Sequence, residues 1–212
     1  MTPDKTSVAP LIYLASRSPR RVELLQQIGI LCVTLPTDID ETQSLNESPI
    51  DYVMRLARQK AEACLQTLTP EQRLSPIIAA DTTVVLDGQV LGKPEDDNDA
   101  RQILTRLSGR VHQVHTAVAL AFNNQIEVVL STTVVEMMDL SVAQIEAYIA
   151  SGDHRDKAGS YGIQGAAGAW IKRIEGSYTG VMGLPLYETA TLLRQCDFEN
   201  VTLENVTLEN VT

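Results

Sequence analysis

Two β-rich runs, Val111 to Phe122 and Ile126 to Met138, follow one another with only the polar Asn123-Asn124-Gln125 between them. Their alternation and length predict a long antiparallel pair. Such a pair has to be covered by other elements to bury its apolar positions. Upstream, strand and helix signals alternate. Ile12 to Ala15 is a short apolar run consistent with a strand. Ser18, Pro19 and the recurrence of Val22, Leu25 and Ile28 predict a helix that Gly29 stops. Beyond the acidic loop TDIDETQSLNES, Ser48 and Pro49 open a second helix through DYVMRLARQKAEACLQ. Ile77 to Ala80 reads as a buried strand entering Asp81, and Thr82 to Leu86 continues it. Asp87-Gly88 then marks a hairpin into QVLG. Asp99 to Leu107 is amphipathic and stops at Gly109.

After the long pair, Ser141 with Gln144 forms a capping box for a helix through Ile149. Gly159 to Gly168 reads as a loop, AWIKRI as a strand and Leu184 to Cys196 as a last helix. The pattern predicts an α/β or mixed α+β domain. At 212 residues the chain has room for one well-cored domain, with two lobes at most. Residues 1–197 are assigned to it, and the VTLEN-repeat segment 198–212 to a frayed tail without function.

Composition excludes several function classes. With 44% hydrophobic and 21% charged residues, the chain reads as globular and soluble. No apolar run approaches the ~18 residues of a membrane helix, and the first ten residues lack the apolar core of a signal peptide. A cytoplasmic protein with no membrane partner is expected. Cys32, Cys64 and Cys196 are scattered, odd in number and form no C-x-x-C, which fits buried thiols better than disulfides or a zinc site. The net charge of −10 argues against nucleic-acid binding.

Against that acidity, Arg17, Arg20 and Arg21 crowd the start of the first predicted helix. Arg20 and Arg21 fall in its first turn, where cations are unfavourable by roughly 0.3–1 kcal/mol each when exposed. An anion held among the free N–H groups there would account for them; solvated arginines pairing with acids such as Glu23 are the plainer alternative. Dipole reasoning predicts that Ala at either position leaves stability equal or slightly higher.

Other residues suit the same chemistry. Val53, Ala57, Lys60 and Cys64 share one face of the second helix, which places a lysine on a mostly apolar stripe. It either snorkels to water or points into a cleft. Asp81 lies between two apolar strand segments, a costly place for a carboxylate unless it is paired, liganded or lining a cleft. Lys93, in LGKP, can lie near the same sheet end. Asp40 and Glu41 carry the carboxylate oxygens that hard cations prefer, though an exposed acidic loop explains them too. His112 and His115 point to opposite faces of their strand, which is wrong for a shared metal, and His154 beside Asp153 and Asp156 is no better supported. No Walker A, G-x-G-x-x-G or G-x-S-x-G motif occurs, so a nucleophilic hydrolase has little support.

Seven stretches, LASRSPRRVELL, DIDE, RLARQKA, AADTTVVLDGQVLGKP, SGRVHQVHTAVAL, DKAGSYGIQG and GSYTGVMGLPLYET, resemble in order the motifs of the Maf family of nucleoside triphosphate pyrophosphatases. The resemblance runs from about Leu11 to Leu193. It implies hydrolysis between the α and β phosphates to a nucleoside monophosphate and pyrophosphate, with a divalent cation, Mg²⁺ or Mn²⁺. It also implies a homodimer and an α/β, inosine-triphosphatase-like fold, a long curved mixed sheet with flanking helices and two lobes around a cleft. Ser16, Arg20 and Arg21 match the phosphate-binding loop, Lys60 and Lys93 the cleft lysines, and Asp81 the proton-accepting carboxylate. Glu41 and Asp81 are the implied metal ligands, and Thr82 and Gln164 substrate-binding positions. Arg17 stands where many members have a small residue and reads as surface decoration.

Arg20, Asp81-Thr82 and Tyr161-Gly162-Ile163-Gln164 resemble the branch acting on dTTP and UTP rather than the one acting on 7-methyl-GTP. The Gln164 amide both donates and accepts, as a pyrimidine edge of carbonyl and N–H requires. The expectation is a pyrophosphatase for dTTP, UTP and modified pyrimidine nucleotides. The same chemistry on another base, or a nucleotide-binding regulator of cell-division arrest, stays open. Intact Asp81, Lys60 and Lys93 favour the enzyme.

Overall fold

The computed structural model describes residues 12–195; Cys196 and the VTLEN segment lie outside them. In chain order the elements are β1 (Ile12–Leu14), α1 (Pro19–Gln27), β2 (Cys32–Thr34), α2 (Pro49–Thr67), β3 (Ile77–Leu86), β4 (Gln89–Leu91) and α3 (Asp97–Leu107). Then come β5 (Val111–Phe122), β6 (Gln125–Met137), α4 (Val142–Ser151), β7 (Ile171–Glu175), α5 (Tyr178–Met182) and α6 (Leu186–Gln195). The strands form one mixed sheet in the order β2-β1-β3-β5-β6-β7, with β4 pairing the far part of β3. β1 runs parallel to β2 and β3, and the other pairs are antiparallel. No helix among the described residues is long and apolar enough to cross a membrane.

The long hairpin forms as predicted, one residue tighter. Phe122 pairs with Gln125, so the turn is Asn123-Asn124 alone, at φ 49° and 61°. Two left-handed residues match the twist of the strands. The Ser141–Gln144 capping box is present in both directions. α3 starts two residues earlier than expected, because the Asp96 side chain accepts from the Asp99 N–H and supplies the cap. α6 starts two residues later, at Leu186, and the first residues of AWIKRI belong to a 3-10 turn, Ala166–Trp170. β2 and α5 were not foreseen: three residues of CVT and five of YTGVM are too short to show a period.

Alternation along β3 explains how the sheet is covered. Ile78 and Ala80 join the core beneath α1 and α6, while Ile77 and Ala79 face α2. Val84 and Leu86 join a second apolar body with α3 and α4. Between these regions the strands turn polar in register. Thr82 pairs with Thr116 and Thr116 with Ser131; Thr83 pairs with His115 and His115 with Thr132. This polar band divides the apolar cover into two lobes. β3 is also bare along one edge there. Its pairing with β1 ends at Ile78 and its pairing with β4 begins at Val84, so no strand neighbours residues 79–83 on that side. The opening lies beyond the carboxyl end of β1, where α/β sheets commonly bind ligands.

One buried pair makes the fold acid-sensitive. His112, 2% exposed, has its Nε2 2.8 Å from the Tyr161 hydroxyl. Burial pushes its pKa down to about 4. A histidine with a depressed folded pKa contributes stability present above its unfolded value and lost as pH falls toward the folded one. The loss amounts to about 3 kcal/mol between pH ~6.5 and ~4. Denaturant midpoints measured across that range should fall for the native chain and fall less for His112→Phe; equal slopes would refute this assignment.

Candidate active site

Side chains from both faces of the sheet converge on the bare edge of β3. Asp81 and Thr82 are adjacent in the strand, so they project to opposite faces, and each gathers its own partners.

On the α1 side, Ser16 follows β1 and is buried. Its Oγ accepts the Ser18 N–H at 3.1 Å and the Arg21 Nη1–H at 3.1 Å. Ser18 occupies the N-cap position of α1 as expected, but its own side chain makes no capping bond. Arg21 also donates from Nε to the Gly183 carbonyl at 2.8 Å and from Nη2 to Thr82 Oγ1 at 3.4 Å. Thr116 donates to the Gly180 carbonyl at 2.7 Å, which leaves Thr82 to donate to Thr116 across 3.0 Å. Burial presses the Arg21 pKa down and the Asp81 carboxylate opposes this; a guanidinium stays charged regardless.

On the α2 side, Lys60 does not snorkel. Its neighbours on the stripe, Val53, Ala57 and Cys64, are buried, and its Nζ lies 2.6 Å from Asp81 Oδ1 and 2.7 Å from Glu41 Oε1. Burial raises the Asp81 pKa, with Lys60 and Arg21 pulling against it. For Glu41 burial is opposed and outweighed by the Lys60 hydrogen bond and the charges of Lys60, Lys93 and Arg21, so its pKa is lowered. Lys93 thus acts on the same cluster while exposed to solvent. The acidic loop is fixed by α2: Tyr52 donates to the Glu41 carbonyl at 2.9 Å, and Arg55 grips Glu47 at 2.6 and 2.8 Å. Asp40 instead accepts the Thr42 N–H at 2.9 Å and stays out of the cluster.

The remaining expected residues stand outside these hydrogen bonds. Arg17 pairs with Asp38 at 2.9 Å on the exposed surface, worth ~0–1 kcal/mol. Arg20 does not join the Arg21 bonds, but its charge acts on Arg21 as well as on Asp153 and Tyr148. Gln164 is exposed, and its side chain makes no hydrogen bond among the described residues. It does not touch the Asp81 cluster. His115 bonds Thr132 and His154 bonds Asp97, so the histidines are separately engaged. Among the described residues no group of three or more His, Cys, Asp or Glu side chains is placed to hold a metal. Two carboxylates sharing one cation are nonetheless the donor type that Mg²⁺ or Mn²⁺ takes alongside phosphate oxygens.

Sequence reasoning missed Gly183 as a site residue. Its φ is 111°, and a Cβ there would stand 3.5 Å from Thr82 Oγ1 and 3.6 Å from Arg21 Nε. The Gly-Leu-Pro punctuation was the available signal. Two carboxylates, two ammonium groups and a guanidinium around one strand edge can hold a polyanion and orient a water beside it.

Comparison with known proteins gives the family. The dTTP/UTP pyrophosphatase of Methylobacillus flagellatus is 58% identical over 185 residues, covering 87% of this chain and 92% of its own. Those of Nitrosomonas europaea and Chromobacterium violaceum are each 52% identical, covering 90% and 89% of this chain and 96% of their own. Among solved structures, the Ham1 protein of Staphylococcus aureus aligns with a TM-score of 0.45 at 18% identity, covering 61% of this chain and 72% of that one. A family model described as Maf-like protein matches residues 11–196. On that match and those identities, the chain belongs to the Maf-like protein family.

Proposed function

We propose that this chain is a nucleoside triphosphate pyrophosphatase that hydrolyses dTTP and UTP, with modified pyrimidine nucleotides, to the monophosphate and pyrophosphate. Relatives bearing the dTTP/UTP pyrophosphatase name over nearly their whole length support the substrate class. The observation that carries the mechanism is Asp81, buried at an open strand edge and bonded to Lys60. A water oxygen bonds to the α phosphorus, the bridging oxygen leaves with pyrophosphate, and Asp81 takes the water's proton. Burial raises its pKa toward working pH, as suits a general base. Lys60, Lys93, Arg20 and the Ser16 loop that Arg21 fixes neutralise charge spread over the phosphate oxygens. Glu41 and Asp81 would hold a divalent cation, Mg²⁺ or Mn²⁺, which would supply further charge neutralisation there. A homodimer in the cytoplasm completes the proposal on the family resemblance, and sedimentation analysis checks the dimer.

Base choice gives the direct test. Gln164 is free to offer an acceptor and a donor to the carbonyl and N–H of uracil or thymine. Specificity constants for dTTP and UTP should exceed those for CTP, GTP and 7-methyl-GTP. Gln164→Glu should cut the first two at least about tenfold more than the others, since the site then repels the carbonyls it was built to bond. A purine preference would overturn the substrate assignment, and an equal fall on all nucleotides would overturn Gln164 as the base reader.

A further inference from the structure

The loop that carries Gln164 is braced from behind by three side chains that sequence reasoning passed over. Tyr148, buried near the end of α4, donates its hydroxyl to Asp153 Oδ2 at 2.9 Å and accepts the Gly162 N–H at 3.2 Å. Lys157 reaches Asp153 Oδ1 at 3.0 Å and also bonds the Asp153 carbonyl. The Tyr148 ring packs edge-on to Trp170 at 4.8 Å, which pins the turn on the loop's other flank. Tyr161 is tied at its hydroxyl to His112.

Two glycines let the loop lie flat against this brace. A Cβ at Gly162 would stand 2.7 Å from Lys157 Cε, and one at Gly165 would stand 2.5 Å from Asp153 Oδ2. Residues 161–165 are therefore fixed at Tyr161, Gly162 and Gly165, while Gln164 faces solvent. The Asp153 carboxyl is held below its ordinary value: burial works against this, and hydrogen bonds from Lys157 and Tyr148 prevail, with the Arg20 charge adding to them.

We propose that Tyr148, Asp153 and Lys157 are positioning residues that preset the Gln164 loop, and so set which base is accepted without touching the reacting phosphates. This rests on Gln164 as the base reader. One hydroxyl serves both the loop amide and the carboxylate, so its removal frees Gly162 and uncouples the loop from Asp153. A preformed loop spares the nucleotide the cost of ordering it, and that saving appears in binding rather than in the chemical step.

The test is Tyr148→Phe, which removes that hydroxyl alone, with Asp153→Asn as a second variant that keeps shape and weakens the Lys157 pair. Amide hydrogen exchange at Gly162 and Ile163 in the free protein should quicken about tenfold or more in Tyr148→Phe. KM for dTTP and UTP should rise about tenfold with kcat within about twofold, and the preference over CTP should narrow. Unchanged exchange in both variants overturns the brace. Faster exchange with kcat falling equally on all nucleotides makes the three residues a stability element and overturns their role in base choice. The Gln164→Glu series reports separately: if that variant loses all substrates equally, the base reader has failed, whereas selectivity lost there but kept in both Tyr148→Phe and Asp153→Asn condemns only the positioning role.

Discussion

Asp81→Asn should remove most turnover while leaving the melting temperature unchanged or slightly higher. If Asp81 accepts the water's proton as proposed, its loss costs about 10²–10⁴-fold in rate. Stability moves the other way for a reason legible in the site. Burial raises the Asp81 pKa despite Lys60 and Arg21, so the fold disfavours the ionised carboxyl. Stability therefore declines as pH rises from the ordinary carboxylate range through the raised value, and the neutral amide avoids that cost. Breaking a buried pair usually costs 3–5 kcal/mol, roughly, because one charge is left alone, but Lys60 keeps Glu41 at 2.7 Å. The same shift implies that kcat/KM of the native chain drops as acid protonates Asp81, above the ordinary aspartate range. Pyrophosphate release and a melting curve on one purified variant measure both effects. Near-normal turnover would remove Asp81 as the proton acceptor, and a large fall in melting temperature would make its bond to Lys60 structural.

Arg21→Ala should fail on both counts, losing activity and stability together. The dipole of α1 favours removing a cation from its first turn, by less than ~1 kcal/mol. Opposing that, Arg21 makes three bonds that join the loop after β1, strand β3 and the turn before α6. Hydrogen bonds from a charged donor contribute roughly 1.5–3 kcal/mol, and stranded acceptors add to the loss. The bonds win. A net loss of about 2–4 kcal/mol, on the order of 10 °C in melting temperature, is expected. Activity should fall as well, since Ser16 and Thr82 lose their common anchor. Arg20→Ala, which breaks no such set, keeps the original expectation: weaker catalysis at unchanged stability. Equal melting temperatures for the two variants would show that the Arg21 bonds carry no net stability.

What the sequence made legible follows the range of the interactions concerned. The Asn-Asn turn, the Ser141–Gln144 box and the α2 stripe are set by neighbours within a few residues, and periodicity exposes them. Lys60 was legible as a conflict, a charge on an apolar face, and its resolution lay 21 residues away in Asp81. The division of labour between Arg20 and Arg21 was not legible. Both occupy the same helical turn, and what distinguishes them is the set of Arg21 partners, Ser16, Thr82 and the Gly183 carbonyl, the last 162 residues on. Tyr148 was invisible for a related reason: a tyrosine on an apolar helix face looks like core until its hydroxyl finds Gly162. Ser18 was legible as the N-cap of α1, whereas the bond from its N–H to the Ser16 hydroxyl was not.

The bond from Arg21 to Gly183 also bears on the order in which the chain is assembled. The β3–β4 and β5–β6 pairs close over two-residue turns, and local closures of that kind form early and cheaply. The arginine's anchor cannot form until the segment before α6 has been synthesised and docked. A growing chain released from the ribosome in part, with its sheet largely paired, would have Asp81 and Lys60 in place but the loop after β1 not yet anchored through Arg21. Hydrolytic competence therefore arrives only when both distant segments of the chain have met, which makes activity a late reporter of folding.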